Sequence, residues 1–225
     1  DRLMVEEFGI ELLQMMENAG RSLAVVARDR FFDGDAHGKS AVVMAGRGGN
    51  GGGGLVCARR LHSWGCDVSV VLAADPSSFE GVAAHQLSIL KKIGIPVSSP
   101  DDVQHFPTAN VIVDALIGYS LRGSPVGKTA ELIQTANESD APVIALDIPS
   151  GIDGDDGEVR NPAITAEATL TLALPKTGLF SHEAKHHVGE LYLADIGVPP
   201  SLYSRLGLDN EVESMFSKGD IVHLI

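Results

Sequence analysis

Short apolar runs alternate along this chain with stretches in which apolar residues recur every three or four positions, and that alternation leaves few folds open. The runs "SAVVMAG" (40–46), "DVSVVLAA" (67–74), "VIVDAL" (111–116), "PVIALDIP" (142–149), "ATLTLAL" (168–174) and "GELYLADIG" (189–197) predict strands. Near-continuous Val, Ile and Leu implies burial on both faces, the mark of a parallel sheet sandwiched between helices. Between the runs, Leu12 to about Phe31, "GLVCARRLHSWG" closed by Gly65, "SFEGVAAHQLSILKKIG" closed by Gly94 and "VGKTAELIQTANES" predict the helices. The fold class is therefore α/β with a mostly parallel central sheet. With 225 residues and no internal repeat, low-complexity tract or linker-like segment, one domain spanning 1–225 is expected.

In such sheets ligands sit outside the carboxyl ends of the strands, and three features fall there. The first is "AGRGGNGGGGLVCARRL", with seven glycines in the nine residues Gly46 to Gly54. Glycine permits positive φ and lets a ligand approach the backbone, and a helix N-terminus just beyond offers unpaired N–H groups to an anion. The register Gly46-x-Gly48-x-x-Gly51 matches a dinucleotide fingerprint, with Asp75 near the end of the next strand as its ribose-binding acid, but so glycine-rich a stretch matches some register by composition alone. The other two features are Asp114 in "VIVDALIGYSLRGSP" and Asp147 in "DIPSGIDGDDGEV", carboxylates at neighbouring strand ends that repel unless a cation or a proton lies between them. Asp147 has a plain reading as the cap of the following turn.

Two look-alike motifs are excluded by spacing. "GDAHGKS" has three residues instead of four between its glycines and precedes a strand, so it is no P-loop. The run from Asp153 has Gly157 at the third ligand position and Ile164 at the twelfth, so it is no EF-hand. A net charge of −13 argues against nucleic-acid partners, and no apolar stretch is long enough for a membrane span. Cys57 and Cys66 form no disulfide framework or metal spacing, so a reducing, cytoplasmic setting is expected.

"MENAG" (16–20), "GRGGNGGGGLVCARRL", "VDALIGYSLRG" and "DIPSGIDGDDG", in this order and spacing, resemble the YjeF N-terminal domain family, the NAD(P)H-hydrate epimerases. The resemblance covers nearly the whole chain and implies a Rossmann-like three-layer α/β/α sandwich. It also implies the activity: interconversion of the R and S epimers at C6 of hydrated NADH or NADPH, a damaged nucleotide, with a bound potassium ion. Carried over by motif, Gly49, Asn50, Gly51, Gly52 and Gly53 would contact substrate, with Gly118, Tyr119, Ser120, Leu121, Arg122, Gly123 and Ser124 lining the nucleotide. Asn50, Asp114 and Ser150 would ligate potassium, and Asp147 would face the reacting ring as the catalytic carboxylate. Lys176 in "ALPKTG" is either a further pocket residue or a solvated strand-end lysine, and Asn18 either reaches the crevice or serves helix capping or packing.

The family loop reads GNNGGDG where this chain reads "GGNGGGG", so Gly49 replaces Asn and Gly53 replaces Asp. The alternative to an active epimerase is accordingly an impaired module that binds nucleotide or protein. Residues 212–225, with "SMFSKGDIVHLI", resemble the segment that joins this domain to a C-terminal dehydratase in bifunctional members; the plain reading is a C-terminal helix. A fused or separate NAD(P)H-hydrate dehydratase is thus an expected partner, and a homodimer is the base-rate oligomer.

Overall fold

A computed structural model describes residues 2–102, 106–208 and 215–225. Strands β1 (Ser40–Ala45), β2 (Asp67–Leu72), β3 (Val97–Ser98), β4 (Val111–Ala115), β5 (Val143–Leu146), β6 (Ala168–Leu172), β7 (Glu190–Ala194) and β8 (Ile221–His223) form one sheet in the order β3-β2-β1-β4-β5-β6-β7-β8. Every neighbouring pair is parallel except β7 with β8. The helices are α1 (Arg2–Phe8), α2 (Leu12–Phe31), α3 (Gly49–Ser63), α4 (Gly81–Ile93), α5 (Gly127–Asn137), α6 (Lys185–Val188) and α7 (Pro200–Arg205).

Strand alternation sorts the core into two faces. Ala41, Val43 and Ala45 of β1 and Val111, Val113 and Ala115 of β4 pack with Leu23 and Ala27 of α2, Leu55 and Leu61 of α3 and Leu87 and Leu90 of α4. Val42, Met44 and Ile112, one residue out of phase, pack with Leu132, Ile133 and Ala136 of α5. That is the expected three-layer sandwich, and its strands are apolar throughout because both faces are covered.

Helix α3 starts earlier than the sequence implies. Five of the seven glycines, Gly49 and Gly51 to Gly54, lie in its first two turns, only Gly46 and Gly48 stand before it, and none of Gly46 to Gly54 has positive φ. What they permit is close packing. A Cβ on Gly51 would stand 1.6 Å from the Gly46 carbonyl oxygen, one on Gly54 2.5 Å from the Ala115 Cβ, and one on Gly52 2.4 Å from the Met16 Cε. From α2, Gly20 would bring a Cβ to 2.4 Å from the Gly53 carbonyl oxygen. Helix α3 therefore lies against the sheet and α2 at distances that side chains would forbid.

The "MENAG" segment serves the same junction. Glu17 pairs with Arg59 and accepts from Arg60 at 3.1 Å and from Gln86 at 3.0 Å, binding α2, α3 and α4 together. Asn18 donates to the Ile196 carbonyl at 3.2 Å, so the packing reading of this residue holds. At the chain's other end the reading of a C-terminal helix is corrected: Ile221–His223 pairs antiparallel with β7, its Val222 opposite Leu193, and completes the sheet edge. Residues 212–214 of the expected joining segment lie outside the described residues.

Candidate active site

The strand order reverses between β1 and β4, and the chain's polar groups gather at the carboxyl ends around this switch point. From β1 the chain enters α3. Its N-cap is Gly48, whose carbonyl accepts the Gly52 N–H at 3.0 Å. The N–H groups of Gly49, Asn50 and Gly51 have no acceptor among the described residues, as at the start of any helix, and are donors of the kind that bind anions.

Asp114, near the end of β4, is fully buried. Its Oδ1 accepts from the Ser150 hydroxyl at 2.7 Å and the Leu116 N–H at 3.1 Å, and its Oδ2 from the Ser150 N–H at 2.7 Å. Burial is the dominant influence and pushes its carboxyl up to about 6, against the pull of these donors. At neutral pH it is an anion with only neutral partners among the described residues. Ser150 in turn accepts the Ile117 N–H at 2.9 Å, so one hydroxyl ties the β4 and β5 loops to this carboxylate.

Asp147 follows β5 and is 8% exposed. Its Oδ1 takes the Lys176 ammonium at 2.5 Å, and its Oδ2 accepts the Tyr119 N–H at 3.3 Å. A Cβ on Gly118 would lie 3.2 Å from this Oδ2 and 3.1 Å from the Asn50 Cγ, so Gly118, Asn50 and Asp147 adjoin one another. The Asn50 amide nitrogen is buried without a hydrogen-bond partner among the described residues.

The structure thus unites Asp114 with Ser150, and Asn50 with Gly118, Tyr119 and Asp147. Gly51, Gly52 and Gly53 are buried in α3, where Gly53 faces Leu146. Tyr119, Ser120, Arg122, Gly123 and Ser124 form an exposed rim, with Leu121 turned inward. The Tyr119 hydroxyl donates to Asp155 at 2.7 Å, and Arg122 to the Leu121 carbonyl at 2.9 Å. The repulsion expected between the two strand-end carboxylates is relieved at Asp147 by Lys176, which is nearly buried and paired there and is no solvated strand-end lysine. Asp75 is spent otherwise: exposed, it caps the short turn Pro76–Ser78 through the Ser77 N–H at 2.8 Å.

A cavity of about 670 Å³, bounded by Phe106, Asn110, Thr135 and Pro142, opens at the opposite, amino ends of β4 and β5, away from these groups. Among the described residues no group of three or more His, Cys, Asp or Glu side chains is placed to hold a metal. Potassium requires no such set: it takes hydroxyl, amide, carbonyl and carboxylate oxygens. A buried carboxylate without a cationic partner among the described residues and a serine hydroxyl beside it fit that chemistry; the unpartnered atom of Asn50 is its amide nitrogen, so Asn50 fits it only through its amide oxygen.

Residues 12–178 match the family model described as YjeF-related protein N-terminus. The chain belongs to this family. An NAD(P)H-hydrate epimerase of Dehalogenimonas lykanthroporepellens is 43% identical to this YjeF-related chain over 227 residues, covering 100% of it and 88% of the relative. The bifunctional NAD(P)H-hydrate repair enzyme Nnr of Salinibacter ruber is 35% identical over 91% of the chain, which spans only 40% of that longer protein. The crystal structure of yeast YNL200c superposes with a TM-score of 0.80 at 30% identity, covering 99% of this chain and 94% of that one. The YjeF-related fold is thereby shown over essentially the full length. No helix among the described residues is long and apolar enough to cross a membrane.

Proposed function

We propose that this protein is an NAD(P)H-hydrate epimerase, an isomerase that interconverts the R and S epimers of hydrated NADH and NADPH. The observation that carries the reading is the Asp147 carboxylate, nearly buried at the switch point, with Oδ2 beside Gly118 and the uncapped start of α3. In the hydrated ring C6 carries a hydroxyl next to the ring nitrogen. Loss of water gives an iminium, and water returning to the other face gives the opposite epimer. The hydroxyl leaves as water by taking a proton from the Asp147 carboxyl; the carboxylate left behind stabilises the iminium charge and takes a proton back from the entering water. The free N–H groups of Gly49, Asn50 and Gly51 receive a phosphate oxygen, and the Gly118–Ser124 rim holds the rest of the nucleotide.

Potassium, held by Asp114, Ser150 and Asn50, would supply fixed positive charge that neutralises the buried carboxylate and draws the nucleotide phosphates. With Gly53 in place of the family's Asp, α3 carries no carboxylate, and the relay is assigned to Asp147. In this reading the chain acts in the cytoplasm, where the buried thiols Cys57 and Cys66 stay reduced, and supplies a stereospecific dehydratase, fused or separate, with the one epimer it accepts. Chromatographic resolution of the epimers tests it. The protein should re-equilibrate R-enriched hydrated NADH, and Asp147→Asn should do so roughly 10²-fold more slowly with nucleotide binding retained. An Asp147→Asn protein of full activity would remove the residue from catalysis; no interconversion by the native chain would leave the binding-module reading.

A further inference from the structure

Two adjacent strands leave the sheet through strained turns of one kind. After β5 the chain reverses about Asp147, φ +67°, and the Ile148 N–H returns to the Leu146 carbonyl at 2.9 Å. After β6 it reverses about Ala173, φ +64°, and the Leu174 N–H returns to the Leu172 carbonyl at 2.7 Å. Positive φ closed by a hydrogen bond from i+2 to i is the γ-turn of the rare, strained sort, which persists only where its surroundings over-determine it. Neither central residue is glycine.

Lys176 touches both turns. Its ammonium donates to Asp147 Oδ1 at 2.5 Å and to the Leu172 carbonyl at 2.7 Å. It therefore grips the side chain at the apex of one turn and the carbonyl that closes the other. The two side chains are only 16% and 12% exposed, so water competes poorly for these bonds. With Oδ1 occupied, Oδ2 is the oxygen left beside Gly118, Asn50 and the Tyr119 N–H.

We infer that Lys176 is a positioning residue that clamps the two strand-end turns and fixes the Asp147 carboxylate with Oδ2 presented to the substrate. The inference rests on the epimerase reading of Asp147. Loss of the ammonium frees the carboxylate to swing, and a misplacement of about 1 Å at a reacting group costs about 10²-fold in turnover. Nucleotide binding is made elsewhere, by α3 and the Gly118–Ser124 rim, so the loss falls on kcat and spares KM.

Lys176→Cys allows the ammonium to be removed and returned in one protein. Alkylation with 2-bromoethylamine rebuilds a lysine-length side chain with its charge, and propyl methanethiosulfonate builds a neutral one of similar length. Cys57 and Cys66 stay untouched at about pH 8.5: both are buried, and burial pushes the Cys66 thiol up to about 12 and the Cys57 thiol higher still. The unmodified and propyl forms should lose about 10²-fold in kcat with KM within about threefold, while the Ile148 and Leu174 amides exchange at least about tenfold faster. The aminoethyl form should recover both.

Full kcat in Lys176→Cys, a loss confined to KM, unchanged exchange at Ile148 and Leu174, or failure of the amine to restore them would each overturn the clamp. Should the native chain interconvert no epimers, the epimerase reading falls and amide exchange alone decides. Accelerated exchange reversed by aminoethylation then supports the clamp, and unchanged exchange refutes it.

Discussion

Replacing Gly51 by Ala puts the packing role of the glycines to its sharpest test. The added Cβ would lie 1.6 Å from the Gly46 carbonyl oxygen and 2.5 Å from its carbon, both backbone atoms that no rotamer change can move. Ordinary contact begins at 3.4 Å, so the start of α3 must retreat from the β1 turn by about 1.8 Å. Helix α3 is held on its far side by α2, where Gly20 meets the Gly53 carbonyl, so the retreat strains a second interface. Overpacking of this kind costs about 3 kcal/mol or more, the upper part of the range for inserted methyl groups. At about 2–4 °C per kcal/mol for a chain of this size, Tm should fall by roughly 6–12 °C. Gly49→Ala is the control: no atom lies within 4 Å of its added Cβ. It should match the native Tm or exceed it by a few degrees, since Ala exceeds Gly in helices by up to about 1 kcal/mol. Scanning calorimetry with urea midpoints measures both. A Gly51→Ala protein melting within about 2 °C of native, or a Gly49→Ala protein that loses as much, would refute the packing argument.

Potassium should raise Tm by mass action and sodium by less; equal shifts from both ions, or none from either, would refute the site at Asp114, Ser150 and Asn50. Asp114 also sets a pH dependence: its folded carboxyl is raised from 3.8 to about 6, so its protonated form stabilises the fold below about 4 and that stability is lost as pH rises through 6. In potassium-free buffer the loss should be on the order of 3 kcal/mol and should vanish from the pH slope of Asp114→Asn; an identical slope in both proteins would refute it. Gly53→Ala sets a Cβ 2.7 Å from the Leu146 Cδ2, a side-chain end that can rotate, so it should cost only about 1–2 kcal/mol in urea titrations. Failure to fold would show that Leu146 has no room to give.

The sheet was legible because burial on both faces leaves no polar face to confuse the pattern. Val42, Val43 and Met44 serve opposite cores, and the sequence shows this as an unbroken apolar run. Helix α3 was legible from Leu55 onward but not at its start. Its first turns carry no apolar side chain, and the contacts that fix them, Gly51 on the Gly46 carbonyl and Gly54 on Ala115, are made by missing Cβ atoms, which leave no periodicity. Strand β8 escaped because three residues, although Ile221 and Val222 are apolar and β-branched, are too short a run to stand out from the segment around them, which reads as a helix or a joining segment.

The site divides along the same line. Asp114, Asp147 and the glycine stretch stood out because strand ends are where α/β sheets bind ligands, and that rule needs only the strand boundaries. The hydrogen bond of Ser150 to Asp114 and the approach of Asn50 to Gly118 needed the register of β1, β4 and β5 and came through motif resemblance alone. The pairing of Lys176 with Asp147 had no such signal, although "ALPKTG" placed the lysine just past β6. Whether a lysine there points to solvent or folds back depends on the turn at Ala173, and positive φ at an alanine is what no propensity anticipates. The fold imposes that conformation because the Ala173 N–H must reach the Ala194 carbonyl, at 3.0 Å, while the Leu172 carbonyl serves both Leu174 and Lys176. A strained backbone here is what turns an ordinary strand-end lysine into the partner of the carboxylate.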